Sequence, residues 1–359
     1  MKKRGSVRMP SKIDAKNALD AVIKKSRVHL YKPIQIAEIL YRDRVYHDIN
    51  LSELDTYRTK SKKWRDNISK ELLGRVCTSS SKFQDNLFDD NAIPPSLIKV
   101  LGDENRKKKG AVEAYIYRRF LNRHSQLENA LNYCLNASKE TFFVKNFIDL
   151  FWKEPGLKRS LDKIYEIVVY ALFSTLVNTM NMQVEVSIDS DKIDILSEFE
   201  DFTQKVMCLD IKHLSHTNDA HVYRVGVTNA ADRGLDMYSN WGPAIQIKHL
   251  SLDVELAENI VTSVSSDRVV IVCKDAEKAV IVSLLTQIGW RSHIQSIVTE
   301  KNLIDWYEKA LRGEFSDILG VTLLSTLAGE IANEFPSIDG IPYVLKERHY
   351  EKIFDPYWQ

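Results

Sequence analysis

The sequence predicts an α+β chain, a helical first half joined to a mixed α/β sheet with helices on its faces. Three observations carry that expectation. Apolar residues recur at helical spacing up to about residue 180 and then change to the two-residue alternation of strands. After the change, strand and helix signals alternate, as they do where helices cover both faces of a sheet. The length of 359 residues, with 44% hydrophobic and 28% charged, suits a folded protein of more than one domain.

Taken in order, residues 13–25 read as a helix. A second runs after Pro33 through Ile36, Ile39, Leu40 and Tyr41, with the proline in its first turn. A break at 46–50 precedes Ser52, which with Asp55 three residues on resembles a helix start; Gly74 ends this third stretch. It presents Arg58, Lys60, Lys62, Lys63, Arg65 and Lys70 around Tyr57 and Trp64. Residues 76–83 read as a strand or wing. The pattern is similar to a winged helix-turn-helix with 52–73 offered to DNA; a plain helical bundle with a solvated basic helix is the other reading. Pro94-Pro95 and the charged stretch Arg106 to Gly110 place a linker or domain edge near 90–110.

Helices fill 111–180, the last starting near Ser160 and carrying Glu166 within an apolar stretch. Strands are expected at 183–188, 207–214 and 222–227, then a hairpin over 235–250 turned by Trp241-Gly242-Pro243. Helix 253–264, strand 268–273, helix 276–289, strand 294–298 and helix 300–312 follow. Beyond 313 the chain reads as helical and then extended near 343–345. The expected organisation is a basic helical DNA-binding region (1–105), a helical connector with the entry helix of the core (106–182), the sheet core (183–315) and a helical extension (316–359).

The net charge of +1 conceals an asymmetry. Residues 1–125 hold 28 Lys and Arg against 15 Asp and Glu, whereas the remainder holds 22 against 34. A basic first third interleaved with aromatics points to nucleic acid as partner. The four cysteines are scattered without a Cys-x-x-Cys pair and read as reduced thiols of a cytoplasmic protein. Basic Met1-Lys-Lys-Arg4 is followed by polar residues rather than an apolar signal segment, and the apolar run 167–177 is too short to span a bilayer. No membrane association is expected.

The chemistry sits in a pentapeptide that occurs twice, Ile-Lys-His-Leu-Ser at 211–215 and 247–251. In the second copy Gln246 and Lys248 lie two apart on an apolar run, so a strand puts both side chains on one face. Asp236 precedes them by ten residues, close enough to join them across the hairpin. A carboxylate and an amide oxygen are hard ligands for Mg²⁺, and a lysine beside them stabilises charge on a phosphate under attack. This set is one negative charge short, and Glu166 is the candidate to supply it; a partly exposed helical glutamate is the alternative. Asp232 would contact phosphate, brace Asp236 or only shape the turn. The first copy offers a competing set, Asp194, Asp210 and Lys212, followed by a polar loop rather than the helical crossover that follows the second copy. Cys208 with His213, His216 and His221 matches no standard zinc spacing. No phosphate-binding Gly-x-x-x-x-Gly-Lys, dinucleotide Gly-x-Gly-x-x-Gly or Gly-x-Ser-x-Gly is present.

Gly234-Leu-Asp236, a nine-residue gap and Gln246-Ile-Lys248 resemble the PD-(D/E)xK nuclease superfamily, in its Gln-x-Lys variant. The segments 27–41, Arg224-Val-Gly-Val-Thr-Asn-Ala-Ala-Asp-Arg-Gly-Leu-Asp236 and Leu284-Leu-Thr-Gln-Ile-Gly-Trp-Arg291 resemble the HaeII-type restriction endonucleases, over nearly the whole chain. The resemblance implies a Mg²⁺-dependent type II deoxyribonuclease that cuts double-stranded DNA at a palindrome, purine-GCGC-pyrimidine, with Asp236, Gln246 and Lys248 as its catalytic set. It implies a restriction-modification system with a cognate DNA methyltransferase. A palindrome calls for a two-fold homodimer. Arg58, Lys60, Lys62, Lys63, Arg65, Ser80 and Lys82 are the expected DNA contacts. The chain departs from the usual motif in lacking the proline-aspartate pair and in carrying an amide at 246. The alternative is a helix-turn-helix regulator whose nuclease-like domain is inactive.

Overall fold

The structure, a computed structural model, describes residues 10–76, 86–225, 235–263, 266–276, 294–336 and 341–359. Its first part is helical. Helix α1 (Lys12–Lys25) starts at Ser11, whose side chain accepts the Asp14 N–H while Asp14 bonds back to the Ser11 N–H (2.8 Å), a capping box. Helix α2 (Tyr31–Tyr46) carries Pro33 in its first turn, where no N–H is needed. A 3₁₀ turn at Leu54–Thr56 takes the place of the capped start expected at Ser52, and helix α3 begins only at Arg58, running to Leu73. Gly74 ends it in the left-handed region, φ 69°.

The linker expected near 90–110 is instead largely helix α4 (Pro95–Lys107), with Pro94 at its cap and Pro95 at its first position. The proline pair starts a helix here. Helix α5 (Ala111–Leu135), α6 (Val144–Lys153) and α7 (Leu161–Thr179) follow. Most of the segment expected as a wing lies outside the described residues, as do Ser80, Lys82, Asp232, most of the helix expected at 276–289 and the Leu284–Arg291 segment.

Strand β1 (Gln183–Ser187) pairs antiparallel with β2 (Ser215–Asp219) in a separate two-stranded sheet. The chain between them is helical: α8 (Ile193–Glu198), α9 (Glu200–Phe202) and a π-helical turn Thr203–Met207. A strand at 207–214 is therefore not formed. Cys208 turns left-handed (φ 56°), and Asp210 to His213 make a tight turn, with β2 starting only at Ser215.

The main sheet has the order β3 (Val222–Arg224), β4 (Met237–Ser239), β5 (Ala244–Lys248), β6 (Val269–Cys273), β7 (Ile294–Thr299). Its first three strands pair antiparallel and its last three parallel. The β4–β5 hairpin turns at Trp241–Pro243, where Gly242 takes φ 122°. Helix α10 (Val254–Ser263) crosses from β5 to the parallel β6. After β7 come α11 (Glu300–Arg312), α12 (Ser316–Glu334) and α13 (Ile341–Glu347); the last of these is helix where extended chain was expected.

Two large cores hold this together. Ile164, Ile167, Val168 and Leu172 of α7 pack under Met237, Ile245, Ile247 and Val272 of the sheet, with Leu323 and Leu327 of α12 beside them. A small core on the opposite face unites Ala244, Ile271 and Cys273 with Ala257 and Ile260 of α10. The second large core lies in the helical region, where Ile36, Leu40, Leu72 and Ile116 meet Val344, Tyr350 and Trp358. The extension expected over 316–359 is thus shared, with α12 on the sheet side and the last residues closing the N-terminal bundle. Among the described residues no single helix is long and apolar enough to cross a membrane.

Candidate active site

The β4–β5 hairpin brings Asp236 to Gln246. Register pairs Met237 with Ile245, which leaves Asp236 just beyond the strand end, opposite Gln246 and Ile247. Its carboxylate Oδ2 accepts the Gln246 side-chain N–H and the Ile247 backbone N–H (2.7 Å), while its own C=O accepts the Val225 N–H (2.9 Å). A carboxylate only accepts, so the amide must turn its NH₂ toward Asp236 and its oxygen away. That oxygen, Gln246 Oε1, is buried and has no hydrogen-bond partner. A buried acceptor left in this state costs about 1–3 kcal/mol. A hard cation at Oε1 would remove the cost, and the oxygens of Gln246 and Asp236 are donors of the type Mg²⁺ takes; for both to hold one ion the amide turns over and gives up its bond to Asp236.

Strand alternation sets the rest. Ile245 and Ile247 enter the core against α7, so Ala244, Gln246 and Lys248 belong to the opposite face. Lys248 is half-buried at the end of β5. Beyond it, His249 Nδ1 bonds to the carboxylate of Asp162, in the first turn of α7. Burial raises the Asp162 carboxyl, but the His249 bond and the charges of His249, Arg27 and Lys248 outweigh it and hold the group below its ordinary value.

Glu166, one turn further along α7, is buried. Burial pushes its carboxyl up to about 7; an ion pair with Lys163 (2.7 Å) opposes the rise, and the charges of Asp236 and Glu334 add to it. Glu334 in turn bonds Arg224 of β3 (3.1 Å), whose other nitrogen reaches Glu330 (2.9 Å). Glu166 thus senses Asp236 electrostatically. Among the described residues no three His, Cys, Asp or Glu side chains converge as a ready-made metal cage.

The competing set does not assemble. Asp210 spends its Oδ1 on the backbone N–H groups of Lys212 (2.8 Å) and His213 (2.7 Å), closing a turn. Lys212 and Asp194 are exposed on separate segments. His216 bonds the Met207 C=O and His213 bonds Asp210, so neither pairs with Cys208. The two identical pentapeptides adopt different structures because only the second continues an apolar strand.

In α3, Arg58, Lys60 and Lys63 are exposed and Lys62 is half-buried. Arg65 is placed elsewhere, buried with its guanidinium 3.5 Å from the Tyr31 ring centroid and bonded to Gln35 Oε1 (2.9 Å) and Asp66 (2.7 Å). It is a structural arginine, not a surface one. Sequence reasoning missed Asp162, His249 and Arg224. The four-residue spacing of Asp162 and Glu166 on one helix face was the available signal.

Residues 15–350 match the family model described as HaeII restriction endonuclease. The chain is similar to "Type II restriction enzyme HaeII" of Haemophilus aegyptius, at 56% identity over 95% of this chain and 97% of that protein. It is also similar to "Type II restriction enzyme NgoBI" of Neisseria gonorrhoeae, at 57% identity over 90% of this chain and 92% of that one. No solved structure matches it.

Proposed function

The chain belongs to the HaeII restriction endonuclease family and is a type II restriction enzyme, a hydrolase that cuts DNA at specific sites; from that premise we propose that Asp236, Gln246 and Lys248 carry the cleavage. The single observation that supports this most is the unpartnered, buried Gln246 oxygen beside a carboxylate, at the end of a strand that also bears Lys248. The Asp236 carboxylate and Gln246 Oε1 would hold Mg²⁺, with Glu166 making up the missing negative charge directly or through water. When bound, Mg²⁺ supplies charge neutralisation at the phosphate and lowers the pKa of water. Lys248 directs its ammonium to the phosphoryl oxygens, where it stabilises the transition state more than the ground state. Asp162 fixes the His249 ring beside it.

The substrate in this reading is double-stranded DNA cut at the palindrome purine-GCGC-pyrimidine to leave 5′-phosphate ends, with a homodimer acting on both strands and a cognate methyltransferase protecting the host. The exposed Arg58, Lys60 and Lys63 of α3 are the proposed phosphate and guanine contacts, joined by Lys62, Ser80 and Lys82. Plasmid digestion with and without Mg²⁺, followed by sequencing of the fragment ends, tests the reading. Discrete fragments ending at the one degenerate pattern purine-GCGC-pyrimidine, made only with the divalent cation, are expected. A smear, or equal cutting in chelator, overturns it.

A further inference from the structure

Between β1 and β2 the helical run α8, α9 and the π-helical turn is apolar on its outer side. Leu196 and Thr203 are buried inward. Ile195, Phe199, Phe202 and Val206 stand open at spacings of four, three and four, with Ile193 and Met207 near the ends, all 40–65% exposed. That spacing keeps them to one side of a helix. At roughly 150–250 Å² for each large side chain, they leave about 650 Å² of apolar surface in water. The largest patch on a typical monomer is about 300–600 Å². One partner's share of a specific interface is about 800 Å². The stripe is thus sized for a protein partner. Residues 183–207 carry seven Asp and Glu against two Lys, which repels the dense charge of DNA phosphates and anionic lipid surfaces; between two copies the contact is made by the apolar residues, with the acids left in solvent where salt screens their repulsion.

We infer that this stripe is the contact with a second copy of the chain, the two helical runs lying antiparallel across a two-fold axis. The spacing four-three-four reads the same from either end, as a self-complementary contact requires. An axis between Phe199 and Phe202 sets each Ile195 against the other copy's Val206 and each Phe199 against the other copy's Phe202. The inference rests on the reading of this chain as a nuclease that cuts both strands, since one hydrolytic set per chain needs two copies for an antiparallel duplex.

Sedimentation of the full chain tests it. Wild type is expected at twice the 41.4 kDa chain mass. Ile195→Asp/Phe202→Asp is expected at the single-chain mass with an unchanged circular dichroism spectrum; each charge buried at such a contact weakens it at least about tenfold. Should that double variant lose its spectrum, Val206→Asp is measured in its place. Ile318→Asp/Val321→Asp, at the exposed apolar positions of α12, stays dimeric. On supercoiled plasmid the Ile195→Asp/Phe202→Asp protein accumulates nicked circles, while wild type linearises. A dimeric Ile195→Asp/Phe202→Asp protein, a dimer broken at α12 instead, or a wild type that is monomeric even on its DNA overturns the inference. If no variant cuts either strand, the nuclease reading fails while the masses still judge the interface.

Discussion

Glu166 is where burial and chemistry meet most sharply. Its carboxyl, raised to about 7, binds its proton more tightly in the folded chain than in the unfolded one, whose value is near 4.5. Stability from this group is therefore complete below 4.5 and is lost as pH rises toward 7. In metal-free protein, the melting temperature should fall across that window, and Glu166→Gln should flatten the fall. A ligand must give up its proton, so Mg²⁺ affinity measured by calorimetry should climb as pH passes through about 7. The same affinity in Glu166→Gln should be weak and nearly independent of pH. A wild-type affinity unchanged across the window would remove Glu166 from the metal site. The sequence marked Asp236, Gln246 and Lys248 because strand alternation is a local rule; it could not give Asp162 and His249 to each other, since they are 87 residues apart.

At the scale of the element, helix α3 separates two kinds of basic residue that look alike in sequence. Arg65 satisfies Gln35, which also donates to Ser61 (2.8 Å), and it covers Tyr31. Arg65→Ala should cost about 3 kcal/mol, seen as a lower denaturation midpoint, because it leaves buried groups unpaired. Lys60→Ala/Lys63→Ala should leave that midpoint unchanged and reduce the salt slope of DNA binding by about 1 for each phosphate no longer neutralised. Periodicity made α1, α2, α5, α7 and the hairpin legible, since each buries a regular apolar stripe. It failed at Pro95, which begins α4, and at 207–214, where alternating residues form a turn after a π-helical segment. In both places local chemistry decides between structures the pattern allows, the proline at a first helical position and the Asp210 carboxylate on the N–H groups of its own turn.

At the scale of the whole molecule, the helical bundle and the sheet are tied by the C-terminal quarter. Arg75, just past α3, donates to the carbonyls of Asn333 (2.7 Å) and Glu334 (2.7 Å), and Glu334 holds Arg224 on the sheet. Ile341, Val344, Tyr350 and Trp358 are buried in the bundle core. Deleting residues 341–359 removes several side chains worth roughly 2–5 kcal/mol each, comparable with the whole stability of a domain of about 5–15 kcal/mol. Limited proteolysis should then cut the bundle first, while the intact chain resists. On the proposed division, with the bundle binding DNA and the end of the central strand β5 hydrolysing it, the two activities should separate by mutation. Lys248→Ala, assayed side by side for binding to a target duplex by gel shift and for Mg²⁺-dependent cutting of the same duplex, tests this most directly. The account predicts binding within a few-fold of wild type and cutting reduced at least about a thousandfold; cutting within tenfold of wild type would contradict it.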